Sequence, residues 1–384
     1  MSTFRPETEA DLAEIVRTAG EPLSIRGGGT RPLGRPVNGA PLITDRLSGI
    51  ELYEPGALTM VAKAGTPLAE VEAALAREGQ RLAFEPMDHR GLLGTEGSPT
   101  IGGVFAANVS GPRRIQCGAA RDFLLGVRFV DGRGDVIRNG GRVMKNVTGY
   151  DIVKLMAGSY GTLGVLTEVS FKVLPDTAVT VTLRCEGLAD RVAVAAMCRA
   201  LGSPYEVTGA AHLQQDADGT PLTLLRLEGS KRSVAYRVEE LGKRLEEFGA
   251  FTAEDTTDGK LWRDIRDVAA FRGRKGDIWR LSVKPTDAPG IVDRVEGAEA
   301  MYDWGGGLVW LLVPEGTGAA SIRQAVAETG GHATLIRGNR AAGAFQPLSP
   351  AVATLQDGLR QRFDPRGILN PGLMGQAADT GTSG

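Results

Sequence analysis

Residues 26–35 read RGGGTRPLGR, a run of three glycines directly after an arginine, and the short apolar stretch PLSI at 22–25 precedes it. Because glycine has no Cβ, such a run can adopt positive φ and lets backbone N–H groups crowd against a bulky anion such as a phosphate. A tight surface turn uses glycine for the same reason. The surrounding sequence therefore has to decide between an anion-binding loop and a plain turn.

The residues after the glycines exclude one common nucleotide-binding arrangement. A Rossmann fingerprint places GxGxxG between a strand and a helix, with an acidic residue about 20 positions later for the ribose. Here Arg31, Pro32 and Pro36 keep the chain extended instead of opening a helix, and Asp45 follows Gly34 too soon. Nicotinamide binding of the Rossmann type is therefore disfavoured.

Length and composition indicate a globular protein. Of its residues 42% are hydrophobic and 23% charged, a composition that excludes disorder. The length of 384 residues predicts about two or three domains or subdomains. A net charge of −2 provides no global field for nucleic acid. No apolar run approaches the ~20 residues of a membrane helix, and MSTFRPETEA lacks a signal-peptide core. We expect a cytoplasmic protein that binds no nucleic acid, with peripheral docking at the inner face of the membrane through a complex left open.

The cysteines and histidines form no recognisable metal-binding pattern. Cys117, Cys185 and Cys198 include no CxxC, so neither an iron–sulfur nor a zinc site is expected. The histidines are His89, His212 and His332. They form no HxH or HExxH pattern, so we predict no metal and interpret each as an ordinary core or surface imidazole.

Hydrophobic periodicity and turn residues predict the elements along the chain. Helices are predicted over 6–19, 67–77, 188–201, 231–248 and 351–364. Strands are predicted over 22–25, 41–44, 57–64, 124–131, 135–138, 178–184, 222–228 and 308–313. Residues 149–175 read as a short helix, a glycine-bounded loop and a long strand. Residues 81–122 lose clear periodicity and are predicted to form a long, ordered loop.

Separated blocks of sequence carry a family resemblance. They are RGGGT with Gly34, PTIGGVFAANVSGPRR at 99–114 with CGAARDFLLGVRFVDGRG at 117–134, KNVTGYDIVKLMAGSYGTLGVLTEVSFKVLP at 145–175, and FDPRGILNPG at 363–372. Together they resemble the PCMH-type FAD-binding domain of the vanillyl-alcohol oxidase superfamily. Within that superfamily, SGPRR, DIWRLSV at 277–283 and DWGGGLVWL at 303–311 are similar to the family of E subunits of three-part glycolate oxidases.

The resemblance implies an α+β fold in which a PCMH-type FAD-binding domain of two subdomains carries a smaller α+β cap domain. The FAD-binding domain would span 1–176, and the cap domain, which would meet substrate or a partner, 177–345. Residues 346–374 would form a C-terminal helix and segment that pack back on the FAD-binding domain. Residues 375–384 would be a disordered tail.

The resemblance also implies which residues hold the cofactor, FAD. In the family, the first glycine loop wraps the pyrophosphate, while the second block and the GTLG turn line the rest of the cofactor. Carried over to this chain, the cofactor-binding residues are Arg26, Gly27, Gly28, Gly29, Thr30, Gly34, Thr100, Ile101, Gly102, Gly103, Asn108, Ser110, Gly111, Gly161, Thr162, Gly164 and Val165. Thr30 stands where some relatives carry a histidine attached to the flavin, so noncovalent FAD is expected.

Several nearby residues allow two interpretations each. Arg26 either compensates phosphate charge or pairs with a nearby carboxylate. Cys117 is interpreted as a buried thiol, with a thioether to the flavin as the alternative. Lys145 would place a cation near the N1/C2 edge of the flavin. Asp151 is interpreted as a helix cap, with a place beside the flavin as the alternative.

Catalytic residues are not identified by the sequence, and Lys145 and Arg280 are the candidates. Arg280, like Arg113 and Arg114, either binds a substrate carboxylate or forms an ordinary surface ion pair; for Arg113 and Arg114 contact with a partner is a further option. Catalytic relatives take the base and the carboxylate anchor from paired histidines, often on a metal. This chain lacks that pair, so catalysis by the chain alone is in doubt.

The function implied is that of the FAD-binding subunit of a glycolate oxidase (dehydrogenase) complex, which oxidises glycolate, a small 2-hydroxy acid, to glyoxylate. The resemblance implies a catalytic FAD subunit as one partner. Because the sequence of this chain has no pattern of iron–sulfur cluster ligands, the other expected partner is an iron–sulfur subunit that receives the electrons. Two alternatives stay open: a free-standing FAD-dependent oxidoreductase of another alcohol or 2-hydroxy acid, and a non-catalytic structural partner with a degenerate flavin site.

Overall fold

The structure, a computed structural model, describes residues 3–142, 150–216, 218–340 and 343–375. Within these ranges helices and strands are mixed along the chain, and the two larger sheets pair antiparallel. The α+β class that the sequence predicts is therefore confirmed.

The first part of the described chain forms one five-stranded sheet and two strand pairs. Its elements are α1 (Glu9–Thr18), β1 (Leu23–Arg26), β2 (Ala40–Ile43), β3 (Ile50–Glu54), β4 (Thr59–Lys63), α2 (Leu68–Arg77), β5 (Gln80–Arg81), α3 (Arg90–Leu93), α4 (Ile101–Ala106), α5 (Arg114–Cys117), α6 (Ala120–Phe123), β6 (Leu124–Val130), β7 (Val136–Gly140), α7 (Ile152–Met156), β8 (Val165–Lys172) and β9 (Leu174–Pro175). The five strands lie in the order β3-β4-β8-β6-β7. β1 and β2 form a parallel pair, and β5 pairs with β9.

The second part forms an eight-stranded sheet in the order β13-β10-β12-β11-β15-β16-β14-β17. Its elements are β10 (Val179–Glu186), α8 (Asp190–Leu201), β11 (Gly209–Leu213), β12 (Leu222–Gly229), α9 (Lys231–Leu245), β13 (Thr252–Asp255), α10 (Lys260–Arg266), β14 (Asp277–Ser282), α11 (Ala288–Val292), β15 (Glu299–Asp303), β16 (Leu308–Val313), α12 (Ala319–Glu328), β17 (His332–Arg337) and α13 (Pro350–Phe363). Consecutive strands are often not neighbours, so the sheet depends on contacts between distant segments.

The first helix shows how capping sets its boundaries. Thr8 Oγ1 accepts a hydrogen bond from the Asp11 backbone N–H at 3.1 Å, and the Asp11 carboxylate accepts one from the Thr8 N–H at 3.0 Å. This reciprocal box satisfies two donors at the helix start. Leu12 and Val16 on its inner face are fully buried. The helix predicted over 6–19 is confirmed and is shortened by its cap.

The other predicted helices and strands overlap observed ones, and the strands that the sequence missed lie mostly in the eight-stranded sheet. The run 57–64 begins within a 3₁₀ turn, Pro55–Ala57, that precedes β4. β11 (GAAHL) and β15 (EAMYD) were missed because several of their residues have low strand propensity. Each has a strand partner on both sides, which holds it in place.

The prediction of a loop over 81–122 is wrong in its detail, because this stretch contains the four short helices α3 to α6. Each spans only four to six residues, too few to repeat the helical period in the sequence. α4 is fixed by a cap, since Thr100 Oγ1 accepts a hydrogen bond from the Gly103 N–H at 3.2 Å. The segment is ordered, as predicted, but by caps and turns.

The eight-stranded sheet has a helix-covered face and a face that meets the first part of the chain. In β14, Trp279 and Leu281 belong to the core beneath α8, α9, α11 and α12. Ile278 belongs to a second core that also contains Met87 from the first part. Because strand residues alternate between faces, Arg280 lies on the same face as Ile278. This face, between the two parts of the chain, borders the site described below.

The C-terminal segment returns to the first strand. Leu369 pairs with Leu23 in parallel. The Leu23 N–H donates to the Ile368 carbonyl at 2.8 Å, and the Asn370 N–H donates to the Leu23 carbonyl at 3.1 Å. β1 is thus held between β2 and a segment more than three hundred residues away in sequence.

α13, which precedes that segment, has no buried residue among those described. Val352, Leu355 and Leu359 on it are 49, 70 and 37% exposed. Their spacing of three and four residues places them on one side of the helix. We call these three residues the α13 stripe, and no part of the described chain buries it.

The domain boundaries stay predictions. The tail predicted to be disordered, 375–384, lies outside the described residues except for Gly375. Of the helices that the structure describes, none combines the length and apolarity needed to cross a bilayer.

Candidate functional site

The loop after β1 forms one wall of a cleft with a volume of about 370 Å³. Further walls come from α4, from the segment 160–166 and from Asn370 and Leu373 of the C-terminal segment. Arg340, from the second part of the chain, also lines the cleft and donates a hydrogen bond to the Pro32 carbonyl. The cleft therefore lies where the glycine loop meets both parts of the molecule.

The glycines of this loop are required for two different reasons, close packing and backbone conformation. A Cβ on Gly28 would lie 1.6 Å from the Ser98 carbonyl oxygen, and one on Gly27 would lie 2.5 Å from Thr100 Oγ1. Gly29 instead has φ of +71° with nothing within 4 Å of the added Cβ. Of the two reasons expected for a glycine run, positive φ applies to Gly29 alone, whereas Gly27 and Gly28 are needed for close packing against the 98–100 segment.

The loop combines free hydrogen-bond donors with positive charge. Among the described residues, the backbone N–H groups of residues 27–30 have no hydrogen-bond acceptor, and all four residues line the cleft. Arg26, Arg31 and Arg340 also line it, whereas none of its described lining residues is Asp or Glu. Backbone N–H groups without an acceptor and arginines in a lining that contains no carboxylate favour the binding of an anion. The geometry therefore suits a phosphate or pyrophosphate.

Most of the predicted cofactor-binding residues line this cleft. They are Arg26, Gly27, Gly28, Gly29, Thr30, Gly34, Thr100, Gly102, Gly103, Gly161, Gly164 and Val165. They come from the glycine loop, from the start of α4 with its cap, and from the turn before β8, and the fold brings these three segments together.

The other predicted residues lie behind the walls of the cleft. Ile101 is completely buried in the core. Asn108 Oδ1 and Ser110 Oγ accept hydrogen bonds from backbone N–H groups at the start of α6, at 3.0 and 2.9 Å. The Gly111 carbonyl accepts an indole N–H from the second part of the chain at 3.0 Å. Thr162 Oγ1 donates to a carbonyl of its own turn at 2.7 Å. In this structure they hold the segments that form the cleft.

Asn370 is a cleft residue that the sequence analysis did not assign. Its Oδ1 accepts a hydrogen bond from the Ile25 N–H at 2.8 Å, and its Nδ2 donates to the Tyr160 carbonyl at 2.8 Å. The side chain therefore ties the end of β1 to the turn that contains Gly161. The block FDPRGILNPG was a signal for this segment, but nothing in the sequence shows that its asparagine reaches the cleft.

Arg31, His89 and Tyr160 form a polar group in the cleft wall that the sequence analysis also missed. Arg31 Nη2 donates to Tyr160 Oη at 3.0 Å, and Arg31 Nε is buried without an acceptor among the described residues. His89 is 7% exposed, and its Nδ1 lies 3.2 Å from the Met87 carbonyl. Burial, and secondly the charge of Arg31, hold the pKa of His89 well below 6.5, so the imidazole is neutral at pH 7.

Two guanidinium groups lie over the ring of Trp304. Arg114 Cζ is 4.7 Å and Arg280 Cζ 5.1 Å from the centre of the ring. Neither arginine has a carboxylate partner among the described residues, so the surface ion pair given as their ordinary role is not what the structure shows. Burial lowers the pKa of Arg280 to about 10, which leaves it cationic at neutral pH. Burial also raises the pKa of Asp303, which interacts with Arg280, to about 7, so that carboxyl group is only partly charged.

Arg280 does not itself line the cleft, but its charge interacts with Arg31 and Tyr160, which do. Lys145, the other candidate catalytic residue, lies outside the described residues. Asp151 caps α7, as interpreted, because its Oδ1 accepts a hydrogen bond from the Lys154 N–H at 3.0 Å.

Cys117 is a half-buried thiol packed against the core of the first part of the chain. It does not line the cleft, and its Sγ donates to the Ala83 carbonyl at 3.3 Å. Burial, with the charge of Glu85, raises the pKa of Cys117 to about 11, so it is protonated at neutral pH. Within the described residues, no group of His, Cys, Asp and Glu side chains is arranged to hold a metal ion.

Arg113 belongs to a buried ion-pair network that joins the two parts of the chain. Its guanidinium lies 2.6 Å from Glu228 and 2.9 Å from Glu85. Arg226 pairs with Glu85 at 2.8 Å, and Arg81 pairs with Glu228 at 2.9 Å. Although burial alone would raise it, the arginines together hold the pKa of Glu228 far below 4.5. Arg113 is therefore fully engaged in structure and is not available for a substrate.

Comparisons with known proteins identify relatives of this chain. The family described as FAD binding domain matches residues 2–140. The chain is 38% identical to the glycolate oxidase subunit GlcE of Escherichia coli (strain K12) over 92% of both chains. It is 30% identical to the glycolate oxidase subunit GlcD of Bacillus subtilis (strain 168), over 47% of this chain and 38% of that protein. The solved structure of 4-ethylphenol oxidase from Gulosibacter chungangensis superposes with a TM-score of 0.70 at 15% identity, over 97% of this chain and 89% of that one. The last likeness concerns the fold alone.

Proposed function

The chain belongs to the family of FAD-binding oxidoreductases that includes the E. coli glycolate oxidase subunit GlcE, and on this basis we propose that it is the FAD-binding subunit of a glycolate oxidase (dehydrogenase) complex. The complex would oxidise glycolate to glyoxylate. The observation that carries the proposal is the cleft, whose free backbone donors and arginines face no acidic lining residue in the described chain.

FAD, the cofactor of this family, fits the residues of the cleft. Its pyrophosphate would be held by the N–H groups of residues 27–30, which have no acceptor in the described chain. Arg26 has no carboxylate partner among the described residues, which supports its role as compensation for phosphate charge. Thr30 offers no imidazole for attachment, which supports noncovalent binding. When bound, FAD supplies the two-electron acceptor that oxidation of an alcohol requires.

The rest of the cofactor would lie along the other walls. The residues proposed to contact it there are Gly34, Thr100, Gly102, Gly103, Gly161, Gly164 and Val165. The residues proposed to act behind them, by holding those segments, are Ile101, Asn108, Ser110, Gly111 and Thr162. This division refines the set carried over from the family, in which all of them were expected to line the cofactor.

The proposed partners are a catalytic FAD subunit and an iron–sulfur subunit. The described residues offer no metal-ligand group, and the three cysteines are free and scattered, so electrons would leave through clusters on another polypeptide. The α13 stripe supports assembly. Helices draw most of their stability from packing of an apolar face, whereas this helix has no fully buried residue among those described and packs on the core only through Phe363 at its end. The location proposed is the cytoplasm, with attachment to the membrane only through the complex.

The test is to purify the untagged native protein with whatever accompanies it, and to compare the complex with the single chain. We expect both to show flavin absorbance that acid precipitation releases into solution, and the complex to reduce a dye when glycolate is added. A colourless chain that takes up no FAD would favour the structural-partner alternative. Glycolate oxidation by a chain that copurifies with nothing would favour the free-standing oxidoreductase.

A second test addresses the α13 stripe. Leu355→Glu places a charge at its centre, so the partner subunits should no longer copurify, while FAD content stays that of the wild type. Gln361→Glu, on the opposite side of the same helix, is the matched control and should leave copurification unchanged. Copurification of the partners with the Leu355→Glu protein would contradict this assignment.

A further inference from the structure

A second cavity, with a volume of about 150 Å³, lies where the two parts of the chain meet, and we call it the joint cavity. Its charged lining residues are Glu85 and Arg113 from the first part and Arg226, Glu228, Arg263 and Arg266 from the second. The lining therefore has four cations and two carboxylates. It shares no residue with the lining of the cleft behind the glycine loop, so the two sites are separate.

Both carboxylates of the joint cavity are already held by guanidinium groups. Glu85 lies 2.9 Å from Arg113 and 2.8 Å from Arg226. Glu228 lies 2.6 Å from Arg113, and Arg81, which is outside the lining, approaches it to 2.9 Å. Three cations therefore already balance the two carboxylates, and no negative charge of the lining is left for the other two arginines.

Those two arginines, Arg263 and Arg266 of α10, bring free hydrogen-bond donors to the cavity. Arg263 donates from Nη1 to the Asp258 carbonyl at 2.8 Å, whereas its Nε and Nη2 have no acceptor and its charge no carboxylate partner among the described residues. Arg266 donates from Nε and Nη2 to the Asp267 carboxylate, both at 2.8 Å, and its Nη1 has no acceptor there. A guanidinium group can only donate, so these N–H groups require oxygen atoms that the described chain does not supply.

A compact oxyanion meets these conditions. A cleft lined by an excess of one charge attracts the opposite charge, and guanidinium groups bind phosphate oxygens through paired N–H donors. The volume of the joint cavity lies below the about 300–1,000 Å³ that pockets for larger ligands have. It therefore suits a group of a few oxygen atoms around one centre.

We propose that the joint cavity binds a free inorganic oxyanion of the phosphate class, held by Arg263 and Arg266 against the ion-pair network. Because that network joins the two parts of the chain, an anion bound there stabilises their contact and with it the folded state. The inference goes beyond the proposed function and is independent of it, since binding of the anion requires no glycolate.

The test is a calorimetric titration of the full chain with sodium phosphate, in the presence of saturating FAD so that phosphate does not enter the cleft behind the glycine loop. We expect one phosphate bound per chain, and binding weaker by about tenfold or more in Arg263→Gln. Arg263 is exposed, so its substitution leaves the core intact. Arg244→Gln is the matched control, because Arg244 is an exposed arginine of α9 outside the lining, and its variant should bind phosphate as the wild type does.

Thermal unfolding of the same proteins tests the effect on the joint. Phosphate should raise the Tm of the wild type and of Arg244→Gln more than sodium chloride of the same ionic strength does, and Arg263→Gln should lack this difference. An equal rise in Arg263→Gln would reflect exclusion of the salt from the protein surface and would contradict the stabilisation. The inference is overturned if the wild type binds no phosphate at concentrations up to about 10 mM, or if Arg263→Gln and Arg244→Gln bind it equally.

Discussion

Gly28→Ala is the substitution whose effect can be worked out most directly from the structure. The new Cβ would lie 1.6 Å from the Ser98 carbonyl oxygen, whereas ordinary contact begins at 3.4 Å, so one of two backbone segments has to move. Overpacking of this kind costs about 1–3 kcal/mol. If the displaced loop has to be restored for FAD to bind, affinity falls between about fivefold and about 150-fold, since about 1.4 kcal/mol is a factor of ten.

The assay is an equilibrium titration of the FAD-free protein, followed by quenching of flavin fluorescence. Gly20→Ala is the matched control, because its Cβ meets nothing within 4 Å and its φ is not positive. Gly29→Ala should fall between the two, because it has no clash but has φ of +71°, a region that costs other residues about 1–2 kcal/mol. Thermal unfolding of the FAD-free variants separates a local effect from loss of the fold. Equal FAD affinity for Gly28→Ala and Gly20→Ala would refute the assignment of this loop.

Three further predictions concern two buried titratable groups and one half-buried thiol. Glu228→Gln leaves the guanidinium of Arg113 partly unpaired and should lower the free energy of unfolding at pH 7 by about 3–5 kcal/mol in urea. Because the pKa of Glu228 is depressed in the folded state, this difference should shrink as the pH falls below 4.5, and a pH-independent difference would contradict it. For Asp303 the dependence of stability on pH has the opposite sign, because its pKa rises from 3.8 to about 7 on folding. The free energy of unfolding of the wild type should therefore fall as the pH rises from about 4 to about 7. Asp303→Asn should lack this slope, and an equal slope in the variant would contradict the assignment. Cys117, with a pKa of about 11, should resist iodoacetamide at pH 8 as followed by mass spectrometry, and rapid labelling would show the thiol to be ionised or exposed.

The glycine loop and the cofactor could be predicted because their signals are local. RGGGT is contiguous, it follows a strand, and the blocks that accompany it are long enough to be recognised one at a time. The helices of the N-terminal part were predictable where they are long, as over 6–19 and 67–77, and not where they span four to six residues within 81–122.

The group around His89 could not be predicted because its members come from separate segments. Arg31 lies in the glycine loop, His89 before α3, Tyr160 in the turn before β8, and Arg280 in the eight-stranded sheet. Each looks ordinary in its own stretch of sequence, and only the packing of the sheet against the cleft makes them neighbours. The reason for Gly28 was hidden likewise, because Ser98 is far from it in sequence.

Noncovalent binding of FAD in the cleft behind the glycine loop is tested most directly by the flavin content of the wild-type chain. The chain is saturated with FAD, freed of excess cofactor and then precipitated with acid. We expect flavin equimolar with protein, all of it released into the supernatant. A chain that retains no flavin, or flavin that stays on the precipitated polypeptide, would contradict it.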